Sequence, residues 1–102
     1  MSEQVKLVLA YDIRPGQENA YRRFILEDLM PQAQELGLAP NDAWHTAYGA
    51  YPSRLITFVA DNLEAMQQAR GKAEWQDLIK KLAGYTSNLS QRVIRYHGGF
   101  QW

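Results

Sequence analysis

The chain has 102 residues, with eleven basic and eleven acidic side chains and no cysteine. Balanced charge supplies no field to hold phosphate backbones or anionic lipid, which argues against nucleic acid or a membrane surface as partner. The lack of Cys removes disulfides, thiolate metal sites and thiol nucleophiles, and it suits a reducing cytoplasm.

One domain over residues 1–102 is expected, able to bury about two-thirds of the surface its unfolded chain exposes. The polar start Met1 to Gln4 and a first apolar run of one strand's length, far below the ~20 residues of a membrane span, predict a soluble chain without a signal peptide.

Val5 to Ile13 is mostly apolar in its alternating sets and reads as a strand buried on both faces. Arg14-Pro15-Gly16 is a turn. Ala20, Tyr21, Phe24, Ile25, Leu29 and Ala33 then recur at helical spacing, predicting a helix from about Gln17 to Leu36 with a kink near Met30, where Pro31 removes a backbone donor. Gly37 is placed to end it.

Asp42 to Tyr51 and Arg54 to Ala60 read as antiparallel neighbours joined around Pro52-Ser53. Asp61-Asn62 offers capping side chains, with Glu64 three residues after Asp61, ahead of a stripe from Leu63 to Leu82 that Gly71 splits in two. A last strand is expected over Gln91 to His97, followed by a tail ending in Phe100 and Trp102. The order βαββαβ specifies an α+β, ferredoxin-like fold with a four-stranded antiparallel sheet. Helices cover one face of such a sheet, so apolar residues on the other need a partner, usually a second copy of the chain.

Arg14-Pro15-Gly16 after the first strand, Tyr21, Phe24, Pro31, Gly37, Trp44-His45-Thr46, Gly49 and Glu74-Trp75 together resemble the dimeric α/β-barrel superfamily, particularly its NIPSNAP-like branch. The resemblance spans nearly the whole chain and implies a homodimer, a dimeric α/β barrel with a pocket in each subunit. The superfamily includes cofactor-independent monooxygenases, haem-degrading enzymes and isomerases. The haem-degrading branch pairs a first-strand Asn with a helical Trp and a following His; this chain has Trp75 but Tyr11 and Asp12 on the strand and Tyr85 downstream. The Asn, Trp and Tyr set of the quinone-forming monooxygenases also fails to carry over, because Asn19, Asn41, Asn62 and Asn88 are expected at element ends.

Among residues able to carry chemistry, His45 is the candidate general base, the alternative being a core-edge histidine bonded to backbone or water. Tyr11 and Asp12, at the end of the first strand, are placed to orient a ligand. Arg95 and His97, at strand spacing, are candidates for binding a carboxylate, or else exposed strand-end residues. Trp75 walls a pocket or anchors the core. Two distant histidines and no Cys give no metal-ligand spacing, and no Gly-rich phosphate loop or nucleophile elbow is present, so neither a metal nor another cofactor is expected.

These features, with the resemblance, favour a homodimer that binds or transforms a small apolar or aromatic metabolite without a tightly held cofactor, as a cofactor-independent monooxygenase or isomerase-like enzyme where it is catalytic. The alternative is a non-catalytic assembly module using Phe100 and Trp102.

Overall fold

The computed structural model describes residues 4–45 and 54–95, with the backbone alone for residues 42–45. Strand β1 (Val5–Ile13) leads to helix α1 (Glu18–Phe24), a π-helical turn (Ile25–Leu29), helix α2 (Met30–Glu35) and strand β2 (Ala39–His45). After β3 (Arg54–Ala60) come α3 (Leu63–Gly71), α4 (Ala73–Tyr85) and β4 (Thr86–Arg95). The strands form one antiparallel sheet in the order β2-β3-β1-β4, the ferredoxin-like arrangement expected from the element order.

Local chemistry accounts for each corner. Gln17 N–H donates to the Arg14 carbonyl at 3.0 Å across Pro15-Gly16, and Gly16 sits at φ +83°, so Pro15 and Gly16 occupy the two central positions that a type II turn gives them. The expected disturbance at Pro31 takes the form of a π turn just upstream. Met30 N–H reaches the Ile25 carbonyl five residues back, and the wider turn lets the helix run past a residue that has no N–H to give.

Gly37, at φ +92°, closes this helical region. Its N–H bonds the Gln34 carbonyl and Leu38 N–H bonds the Ala33 carbonyl, the paired pattern that needs a left-handed residue.

Three expected boundaries shift. The cap of α3 is Asn62, whose side-chain oxygen accepts from Ala65 N–H at 2.8 Å; helix entry one residue after Asp61 leaves the Asp61/Glu64 box out of frame. Strand β2 starts at Ala39, ahead of Asp42, with an irregularity between Pro40 and Asp42. Strand β4 starts at Thr86, five residues before Gln91, directly after α4. Its polar opening, Thr-Ser-Asn-Leu-Ser, reads as loop in sequence, but pairing with β1 and three further bonds make it strand. Arg14 N–H donates to the Tyr85 carbonyl at 2.9 Å, Arg14 Nε to the Thr86 carbonyl at 2.7 Å and Thr86 Oγ1 to the Leu82 carbonyl at 2.8 Å. Asn41 and Asn88 consequently lie inside strands, where element ends were expected.

The core lies between the sheet and the helices. Leu7, Leu9 and Tyr11 of β1 and Ile56, Phe58 and Ala60 of β3 meet Phe24, Leu29, Met66, Trp75, Leu78 and Leu82. Trp75 stands edge-on to Phe58 with ring centroids 6.0 Å apart. The opposite sheet face carries Lys6, Val8, Ala10 and Asp12 of β1 with Leu55, Thr57 and Val59 of β3. Of these, Lys6, Asp12 and Thr57 are buried and the other four half-buried. The strand is therefore largely buried on both faces, as its composition predicts. The Pro52-Ser53 turn, His97 and the Phe100/Trp102 tail fall outside the described residues.

Candidate functional site

The sheet face free of the described helices holds a cleft of about 520 Å³ where β1 and β4 change register. Ala10 pairs with Ser90 and Asp12 with Ser87, so Tyr11 faces two residues, Asn88 and Leu89. That is a β-bulge, and Asn88 at φ +58° takes its left-handed position, which Asn tolerates better than other residues with a Cβ. The bulge directs the Asn88 side chain across the strand pair, where Nδ2 donates to Asp12 Oδ2 at 3.0 Å. Asp12 is only 6% exposed, and a carboxylate that enclosed needs such partners.

Val8, Ala10 and Leu55 supply the apolar wall of the cleft; Ser90 and Arg92 join Asp12 and Asn88 in the polar part. One end can hold an apolar body. The other offers a carboxylate acceptor, an amide, a hydroxyl and a guanidinium.

On the helix side, Tyr11 and Tyr21 share a hydroxyl–hydroxyl hydrogen bond of 2.5 Å with their rings edge-on at 5.7 Å. Burial is the main reason that both phenols are pushed above the ordinary tyrosine range; Arg54, which hydrogen-bonds Tyr21, partly offsets this. Both therefore stay neutral at physiological pH.

The described candidates from the sequence do not share one cavity. Asp12 lines the open-face cleft, whereas Tyr11, its neighbour, is fully enclosed on the other side with its hydroxyl against Tyr21, because successive strand residues point to opposite faces. Trp75 is 2% exposed in the helix-side core. Arg95 is at the far end of β4, opposite Val5, beside Leu63 and Asn62. The backbone of His45 pairs with Arg54, in line with Tyr11 across β3; its side chain and His97 are outside the description. Asn88 does enter a strand, but the sheet separates it from Trp75, so these two do not assemble an Asn–Trp pair.

Sequence reasoning passed over Asn88, Ser90 and Arg92. The available signal was an Asn within a polar run beside a strand, a residue suited to the left-handed conformation of a bulge. Among the described residues no group of three or more His, Cys, Asp or Glu is placed to hold a metal, and no helix is long and apolar enough to cross a membrane.

No protein-family model and no curated protein matches the sequence. Solved structures do match the fold. A NIPSNAP family protein from Agrobacterium tumefaciens superposes with a TM-score of 0.72 at 19% identity, over 96% of this chain and 90% of that one. An uncharacterised NIPSNAP-like domain protein from Burkholderia xenovorans gives 0.69 at 17% identity, over 99% and 91%. A candidate antibiotic biosynthesis monooxygenase from Nitrosomonas europaea gives 0.69 at 11% identity, over 96% and 92%. The ferredoxin-like fold is thus the one adopted by NIPSNAP and antibiotic biosynthesis monooxygenase-like proteins.

Proposed function

We propose that the chain is a cytoplasmic homodimer that binds a small apolar or aromatic metabolite on the helix-free face of its sheet. The observation that carries this reading is the cleft at the β4 bulge, where Val8, Ala10 and Leu55 adjoin the Asp12–Asn88 pair. An apolar wall with a few convergent polar groups is the usual make-up of a small-molecule site. The half-buried Val8, Leu55, Val59 and Ile94 motivate the dimer: among the described residues no helix covers their face, and a second copy would close the cleft over its ligand.

Asp12 accepts a hydrogen bond from a ligand hydroxyl or N–H, Asn88 holds that carboxylate in place, and Arg92 meets a partial negative charge on the ligand. Where the ligand is also transformed, Asp12 is the group within the cleft able to take a proton, because His45 stands in register with Arg54 and Tyr11, on the other face of the sheet. The similarity of fold to the monooxygenase-like protein from Nitrosomonas europaea supports the reading at the level of fold alone.

Native mass spectrometry of freshly purified protein tests it. A dimer with retained small-molecule mass is expected, and Asp12→Asn should release that mass while keeping the dimer. A monomer, or a dimer that is empty after incubation with an aromatic metabolite mixture, overturns it. Where turnover is found, Asp12→Asn should abolish it.

A further inference from the structure

A second cleft, on the helix side of the sheet, is lined by Arg70 of α3, Trp75, Gln76 and Ile79 of α4, and Gln91 of β4. Gln91 pairs with Leu9, which places it on the face opposite the Asp12 cleft. Two N–H donors here have no hydrogen-bond partner among the described residues: Arg70 Nε and Trp75 Nε1. Trp75 as a whole is 2% exposed. Buried polar groups are nearly always paired, and a guanidinium keeps its charge at any physiological pH, so this pair calls for an acceptor, preferably an anionic one.

Both nitrogens are closed off from solvent. The contact able to give way is the one from Arg70 Nη2 to Gln91 Oε1, at 3.5 Å beyond the usual N–H···O range. The cleft, about 250 Å³ in volume, suits a small molecule. Ile79 and the indole provide apolar wall for its body, and the donors take its polar end.

We infer that the Arg70–Trp75–Gln91 cleft is a binding site for a small carboxylate, its oxygens accepting from Arg70 Nε and Trp75 Nε1 after the Arg70–Gln91 contact opens. The site is separate from the Asp12 cleft and stands independently of the function proposed for it.

Benzoate titrated into the ¹⁵N-labelled full chain tests the inference through the indole N–H resonance of Trp75, assigned by elimination with Trp44→Phe and Trp102→Phe variants. A saturable downfield shift is expected, with benzamide binding about tenfold more weakly because it lacks the charge. Arg70→Gln should weaken benzoate binding by about tenfold, and Arg70→Lys, which keeps the charge but loses the planar donor fork, by about threefold. A Trp75 resonance that benzoate leaves unmoved, including the case of benzoate bound at Arg92, overturns the inference. Equal affinity in Arg70→Lys or Arg70→Gln does so too. Failure of the Asp12 cleft to retain a ligand leaves this result untouched.

Discussion

Tyr11 and Tyr21 show how two residues ten positions apart become one electrostatic unit. Their hydroxyls bond to each other inside the helix-side core, so ionising either phenol means placing a charge where water cannot reach it. Their folded-state pKa values lie above the unfolded value of ~10, so their stabilising effect is complete below pH ~10 and is lost as pH rises beyond it. The unfolding free energy, measured by urea denaturation, should fall above pH ~10 by about 1.4 kcal/mol per pH unit for each of the two tyrosines. The Tyr11→Phe/Tyr21→Phe double variant should flatten that slope, and an unchanged slope would assign the alkaline loss to other groups. The hydroxyl pair joins β1 to α1 across the turn at Pro15-Gly16, a link that residue types and spacing alone do not display.

Within elements, the bulge in β4 is where local preference and tertiary demand meet. One additional residue against Tyr11 bends the strand and aims Asn88 at Asp12, yet it leaves one position in a left-handed conformation that side chains with a Cβ resist by about 1–2 kcal/mol. Asn88→Gly and Asn88→Ala both remove the bond to Asp12, but only Ala meets the full conformational cost. The Ala variant should be less stable than the Gly variant by about 1 kcal/mol in urea unfolding. Equal stabilities would mean that the bulge relaxes without Asn88. The π turn at Ile25–Leu29 is the helical counterpart, a defect positioned by Pro31 that still keeps Phe24, Ile25, Leu29 and Ala33 on the buried side.

For the whole molecule, the asymmetry of the sheet is decisive, with a filled aromatic and aliphatic core under the helices and a mixed, part-buried face opposite. If a second copy covers that face, folding and association are linked and the melting temperature rises with protein concentration. Thermal unfolding across a wide concentration range should show this rise. Val59→Lys, which puts a charge on the helix-free face, should abolish it while leaving the melting temperature of the dilute protein nearly unchanged. A concentration-independent melting temperature in the parent chain would remove the dimer.

Much of the architecture was legible without coordinates, because its signals act over a few residues. Pro15 and Gly16 set a turn, Gly37 ends a helix, Gly71 divides one, and the apolar spacing of Tyr21, Phe24 and Ile25 marks the face that meets the sheet. The fold class followed from the order of those elements. The candidate site was legible only in part: Asp12 was identified, but as a companion of Tyr11, from which the pleat of β1 separates it. Tertiary structure alone decided that Asn88, 76 positions away, would become the partner of Asp12, that polar Thr86–Ser90 would be strand, and that Trp75 would face Arg70 and Gln91. The physical reason is register. Pairing between the first and last strands depends on the sum of contacts over the whole sheet, and one inserted residue changes which side chains meet.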